Sequence, residues 1–318
     1  MSGDAAEIEA LLREWEAAEA PEPLVIATSG STGRPKRVML SREALRASAD
    51  ATHARLGGPG RWELNLPPTY VAGVQVLFRT IRAGADAERS YVSLVPTQLV
   101  RLLKDGFDVR DLGRYDAVLI GGGPLDPAVR AEAESMDIVI VQTYGMSETC
   151  GGCVYDGVPL DGVEVRIDDD GQVLVRGPVL FDGYEGEPDR TAAAFHDGWL
   201  VTNDLGHWAE DGRLRIDGRT DDVIITGGVK VPARAVAGAV AGHPDVEAVE
   251  VLGVPDVEWG ERVVAFVVSR EPLVLEQVRD LVAPRSWAPR QIVRLPELPT
   301  LPNGKTDRVL LRRLAADE

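Results

Sequence analysis

Cysteine is nearly absent from this 318-residue chain, which carries only two, and that excludes a disulfide framework. No apolar run approaches the roughly 18–20 residues of a membrane-spanning helix. The opening segment MSGDAAEIEALLREWEAAEA lacks the basic stretch and apolar core of a secretory leader. A reducing cytoplasm without membrane insertion is therefore expected. Positive charge is also scarce: 34 basic side chains face 51 acidic ones, a balance of −17. Such acidity argues against nucleic acid, whose binding needs clustered Lys and Arg, and against anionic lipid. Lysine is scarcest of all, with only Lys36, Lys104, Lys230 and Lys305 against thirty arginines. In such a chain each lysine raises the question of what arginine could not do there.

What is present is ordinary for a folded protein, with 44 % hydrophobic and 27 % charged residues. The length suggests two or three domains. Ile8, Leu11, Leu12 and Trp15 recur at helical spacing and predict an amphipathic helix over 5–19. Up to about residue 145, strand-like runs at 62–66, 91–95, 116–122 and 137–144 alternate with helical stretches at 71–82, 96–104 and 126–135. Ser41 is placed to cap a further helix. This alternation predicts an α/β fold with a parallel sheet flanked by helices. After residue 155 short alternating strands joined by Asp-Gly turns predict antiparallel hairpins, a small β-barrel-like section. The polar run GRTDD then precedes a compact α+β unit of strands, a helix at about 232–241 and a final helix. A boundary at Asp221 gives domains 1–220 and 221–318.

Four segments carry chemistry. From Thr28 to Lys36, two glycines, hydroxyls and a lysine follow a strand. Small residues let backbone N–H groups approach phosphate, although a flexible surface loop has the same composition. The spacing is not that of a Walker A loop, because Pro35 and Arg37 stand where a Gly and a Ser/Thr belong. Thr143–Thr149 (TYGMSET) follows a strand and sets a hydroxyl beside a carboxylate, fit to orient a phosphate and hold Mg²⁺; a plain strand-to-turn transition is the alternative. Asp204 lies fifteen residues before Arg219, and a carboxylate with a guanidinium can hold a ribose. Last, LPNGKTDR presents Lys305 in a turn. Two other patterns read as decoys. Cys150 and Cys153 have C-x-x-C spacing but no second pair for zinc, and read as small loop residues. Asp168–Gly171 resembles a calcium loop without its closing acid, and reads as a hairpin turn.

In order and rough spacing these segments resemble the acyl-adenylate-forming superfamily of acyl-CoA synthetases, luciferases and peptide-synthetase adenylation domains. TSGSTGRPK resembles its phosphate loop, and GGGP with YGMSET its adenine and magnesium motifs. GWLVTNDLG, GRTDDVIITGG and LPNGKTDR resemble its later motifs, so the likeness runs from about residue 24 to 313. Within it, SLVPTQLVRLL, the stretch from TYGMSET to GVEVRI and the short N-terminus resemble short actinobacterial o-succinylbenzoate–CoA ligases of menaquinone biosynthesis.

The resemblance implies an AMP-forming acid–thiol ligase that uses ATP, Mg²⁺ and coenzyme A on a small carboxylate. It implies that Thr28, Ser29, Gly30, Ser31, Thr32, Gly33 and Lys36 hold the β- and γ-phosphates, Ser147 the α-phosphate and Glu148 the Mg²⁺. Gly121, Gly122, Gly123 and Tyr144 would flank adenine, with Asp204 and Arg219 on the ribose. Lys305 would bridge the carboxylate and α-phosphate. Asp221 would be the hinge of a mobile C-terminal lid that brings Gly227 and Gly228 towards the thiol channel. Tyr70, Val71 and Gly73 would line the acyl pocket, although Thr69-Tyr70 replaces the histidines frequent there and Asn203 replaces a usual glycine. A front trimmed relative to the superfamily leaves a sheet flank that a homodimer could cover. The alternatives are a ligase for another aryl or dicarboxylic acid, an enzyme loading a carrier-protein thiol, and a non-catalytic nucleotide-binding paralogue.

Overall fold

The computed structural model describes residues 2–28, 36–105, 109–301 and 306–316. Its strands form four sheets. The six-stranded one runs Gly60–Glu63, Arg89–Leu94, Ala117–Ile120, Ile140–Met146, Gly151–Tyr155, Val158–Pro159. The first four strands are parallel, and the last two fold back antiparallel. Helices Val71–Ala83, Pro96–Asp105 and Pro127–Glu134 lie between successive parallel strands. Ala117–Ile120 is buried at every position, as a strand covered on both faces must be.

Two predicted strands shift. The strand expected at 62–66 is Gly60–Glu63, because pairing to Arg89–Val92 ends there and Pro67-Pro68 follows. The strand expected from 137 begins at Ile140, since Asp137 has a φ of 61° and still belongs to the turn leaving the helix.

At the front, helix Ala5–Ala17 starts at a capping box in which Asp4 and Glu7 bond each other's backbone N–H, and it buries Ile8 and Leu12. Ser41 accepts from the Ala44 N–H at 3.3 Å and starts helix Arg42–Arg55. A three-stranded antiparallel sheet joins Leu24–Thr28, Lys36–Leu40 and Gly183–Tyr184. Its register sets Thr28 opposite Lys36, so both ends of the glycine-rich segment sit side by side.

The hairpins after residue 155 form a five-stranded antiparallel sheet. It contains Glu164–Ile167, Gln172–Arg176, Phe195–His196, Trp199–Trp208 and Leu214–Arg219. Asp168 makes the turn there, accepting from the N–H groups of Asp170 and Gln172.

The fourth sheet is built wholly from residues after Asp222. It takes Val223–Thr226, Val229–Pro232, Val246–Asp256 and Gly260–Ser269, with Gln291–Arg294 parallel to the last. The buried side chains divide likewise. Three clusters draw only on residues up to Leu214, and two only on residues from Ile224 onward. Between them lies a short 3-10 turn, Thr220–Asp222.

Candidate active site

The carboxyl ends of the parallel strands are where open α/β sheets bind ligands, and two polar clusters lie there. The first grows from strand pairing: Asp204 and Arg219 are direct cross-strand partners. Asp204 is only 6 % exposed, and a buried carboxylate must be hydrogen-bonded. Tyr144 donates its hydroxyl to Oδ2 at 2.7 Å, and the Arg219 guanidinium reaches Oδ1 at 2.9 Å. The Asp204 N–H donates to Thr202 Oγ1 at 3.0 Å, which locks the backbone. Arg219 turns its other edge to Asp221, with bonds of 2.7 and 2.9 Å. Burial, then the neighbouring Asp204 charge, pushes the Tyr144 phenol far above its usual range, so it stays a donor. Burial opposes the Arg219 charge, yet Asp221 and Asp204 overcome it and raise its pKa.

Gly121–Gly123 follow strand Ala117–Ile120 at the same edge. The Gly121 N–H donates to the Leu94 carbonyl at 3.1 Å, and a Cβ there would lie 2.5 Å from Thr143 Oγ1. Gly122 has a φ of 81°. Gly121 thus allows close approach to the strand that carries Tyr144, and Gly122 a backbone conformation that side chains rarely adopt.

The second cluster centres on Glu148, in the 3-10 turn Ser147–Thr149. Thr149 fixes that turn, since its Oγ1 accepts from the Met146 N–H and donates to the Gly151 carbonyl at 2.7 Å. Glu148 is 8 % exposed. Tyr184 donates its hydroxyl to Glu148 Oε1 at 2.8 Å, and Lys36 Nζ stands 3.6 Å from the same oxygen. Lys36 Nζ also lies 5.3 Å from the centre of the Tyr184 ring. The fold thus brings Lys36 to Glu148, next to Ser147 in the chain. Tyr184 was missed, because its partner is 36 residues away and nothing local marks it. Ser29, Gly30, Ser31, Thr32, Gly33 and Lys305 lie outside the described residues.

The remaining expected residues are dispersed. Tyr70 stands immediately before helix Val71–Ala83. Gly73 is buried, with the Pro67 carbonyl oxygen 2.2 Å from where a Cβ would be, so it permits close packing of that segment. Gly227 and Gly228, with φ of 56° and 80°, form the two-residue turn between Val223–Thr226 and Val229–Pro232. Asp221 sits in the turn between the two sets of clusters. Cys150 lies in the turn that follows Ser147–Thr149, as expected of a loop residue, whereas Cys153 does not and lies within strand Gly151–Tyr155. Both are free and buried, and burial pushes the Cys153 thiol up to about 12.

A glycine floor at the strand ends, a carboxylate–guanidinium pair and a lysine beside a buried carboxylate define a nucleotide-binding α/β protein. The chain belongs to the AMP-binding enzyme family, whose model matches residues 16–185. The AMP-binding enzyme C-terminal domain matches residues 235–305. A relative named probable 2-succinylbenzoate–CoA ligase, from Mycobacterium tuberculosis, is 41 % identical over 96 % of this chain and 88 % of its own length. The o-succinylbenzoate CoA synthetase of Bacillus subtilis, solved with its acyl-adenylate intermediate, aligns with a TM-score of 0.78 and 27 % identity, over 91 % of this chain and 68 % of that one. The same synthetase solved with ATP and magnesium ion aligns at 0.77 and 26 %, over 91 % and 69 %. Among the described residues, no helix is long and apolar enough to cross a membrane.

Proposed function

We propose that this chain is an AMP-forming acid–thiol ligase that joins 2-succinylbenzoate to coenzyme A, a step of menaquinone biosynthesis. The observation that carries the reading is the run Tyr144–Glu148. Its first residue joins the Asp204–Arg219 pair and its last joins Lys36, so nucleoside and phosphate contacts grow from one rigid hairpin. The aryl dicarboxylate is supported by the named relatives.

In the first half-reaction a substrate carboxylate attacks the α-phosphorus of ATP and pyrophosphate leaves. In the second, the coenzyme A thiol attacks the acyl carbon and AMP leaves. Neither step needs a protein nucleophile, so catalysis rests on positioning and charge stabilisation. Asp204 accepts from the ribose hydroxyls through lone pairs that Tyr144 and Arg219 leave over. Thr28 and Lys36 open and close the phosphate segment. Ser147 faces the α-phosphate. Lys305, a compact and rotatable ammonium, meets the negative charge where the new P–O bond forms.

The donor set fits magnesium on a nucleotide. That cation is usually held by one or two carboxylates plus phosphate oxygens, and Glu148 is one buried carboxylate. When bound, magnesium supplies neutralising charge to the phosphates. Residues 1–220 hold the nucleotide, and residues 221–318 turn about Asp221 between the half-reactions.

ATP–pyrophosphate exchange over a panel of carboxylates, with and without coenzyme A, tests the reading. Exchange driven best by 2-succinylbenzoate, with thioester formed only when coenzyme A is present, is expected. Faster exchange with another acid, or transfer to a carrier protein alone, would reassign the substrate or acceptor.

A further inference from the structure

We infer that Tyr184 is the positioning residue that sets the Glu148 carboxylate for a divalent cation and keeps it from collapsing onto Lys36. The inference deepens the proposed function and rests on its reading of Glu148 as the carboxylate facing the metal–nucleotide.

Three observations carry it. First, the Tyr184 hydroxyl and Lys36 Nζ both approach one oxygen, Oε1, but at different ranges. The hydroxyl makes a full hydrogen bond at 2.8 Å, whereas the ammonium stands off at 3.6 Å. A charge-assisted bond between such groups closes to about 2.7–2.9 Å when nothing intervenes. Second, the Tyr184 ring offers the ammonium a competing contact. Lys36 Nζ lies 5.3 Å from its centre, within cation–π range, and the Arg190 guanidinium carbon lies 5.0 Å from it. The ring gives the ammonium a second seat, so its charge is shared instead of spent on the carboxylate. Third, Tyr184 has little freedom. Its backbone pairs with Val38, two residues beyond Lys36, its N–H donates to Thr191 Oγ1 at 2.9 Å, and its ring packs edge-on against Phe181 with centres 4.9 Å apart.

A lysine and a glutamate locked into a close ion pair would each have to be freed before meeting a phosphate or a cation. With a hydroxyl bonded to the carboxylate and a ring face beside the ammonium, both are already oriented. Tyr184 touches neither substrate nor reacting atom in this scheme and acts only through Glu148 and Lys36.

The variant Tyr184→Phe keeps the ring and removes the hydroxyl, so the packing around Phe181 is retained. Mn²⁺ is titrated into the full chain with a non-hydrolysable ATP analogue, and free Mn²⁺ is read by electron paramagnetic resonance. Tyr184→Phe is expected to weaken Mn²⁺ binding about tenfold, as for loss of one hydrogen bond to a charged group. The Mg²⁺ giving half-maximal pyrophosphate exchange should rise by a similar factor, with the KM for the carboxylic acid unchanged. Glu148→Gln is the companion. If Glu148→Gln weakens Mn²⁺ binding and Tyr184→Phe does not, the positioning role is overturned while the reading of Glu148 stands. If neither variant alters Mn²⁺ binding, the reading of Glu148 falls as well, and the inference with it.

Discussion

Buried ionisable groups in this chain survive by different local arrangements, and His53, which is outside the two polar clusters described above, is an instructive case. It is 7 % exposed, and its Nε2 is 3.3 Å from the Trp62 indole nitrogen, which can only donate. The imidazole must therefore be neutral at Nε2. Burial, then the Arg79 charge, lowers its pKa from 6.5 to about 4, with Arg82 adding to the effect and Asp50 opposing it. The unfolded chain thus binds a proton that the folded chain refuses between about pH 6.5 and 4. Stability from this group is complete above that window and is lost as pH falls through it, by on the order of 3 kcal/mol. His53→Gln, which keeps an acceptor but does not titrate, should flatten the urea-unfolding profile over that range. An equally steep profile in the variant would show that other groups set it. Lys305 belongs to this scale too, although it was read from its motif alone. Lys305→Ala should slow pyrophosphate exchange by on the order of 10²–10³ while sparing thioester formation from supplied acyl-adenylate. Equal loss of both would remove its assigned role.

The element that matters most is the hairpin formed by Ile140–Met146, the 3-10 turn and Gly151–Tyr155. Its strands approach so closely that a Cβ on Gly145 would lie 2.0 Å from the Gly151 carbonyl oxygen. Backbone cannot yield as a flexible side chain can. Gly145→Ala should therefore destabilise the fold by about 3 kcal/mol or more, seen as a lowered urea midpoint, and reduce ATP binding with it. A variant of unchanged midpoint would mean that the hairpin opens freely. The sequence made this element visible because an apolar run met a turn of glycine and hydroxyl residues. It did not make visible that Asp137 delays the strand or that Cys153 lies inside one, because a φ above zero and a strand that folds back depend on neighbours. Tyr184 was invisible for the same reason: a tyrosine among glycines and acids signals nothing until Glu148 is brought to it. By contrast, Asp204 and Arg219 were legible as a pair, because two strands joined by an Asp-Gly turn set residues fifteen apart opposite one another.

At the scale of the molecule, a charge of −17 must accommodate substrates that are themselves anions. Screening over about 10 Å at ordinary salt removes most distant repulsion, which leaves Lys36 and Arg219 to act locally. Arg219 is bonded to Asp204 on one side and to Asp221 on the other, so the proposed hinge adjoins the nucleotide contacts directly. Arg308, the last residue of the lysine motif, fastens the far side by bridging Asp222 and Glu250. Asp221→Pro fixes φ at the hinge and should keep pyrophosphate exchange within about threefold while thioester synthesis is lost. Asp221→Asn, which weakens the arginine pair but leaves the backbone free, should retain both. Loss of both activities in the asparagine variant would assign Asp221 to nucleotide binding instead of to motion.

The two thiols acquire a meaning from the chemistry that surrounds them. An acyl-adenylate is an electrophile awaiting sulfur, and Cys150 directly follows the Ser147–Thr149 turn. Any thiolate of the protein's own at that place would compete with coenzyme A and leave the chain acylated. Both thiols are fully enclosed, and burial pushes the Cys153 thiol up to about 12, which favours the unreactive protonated form. Burial thus makes the protein a bystander to its own product, and the activated acyl group is kept for an acceptor that arrives from solution.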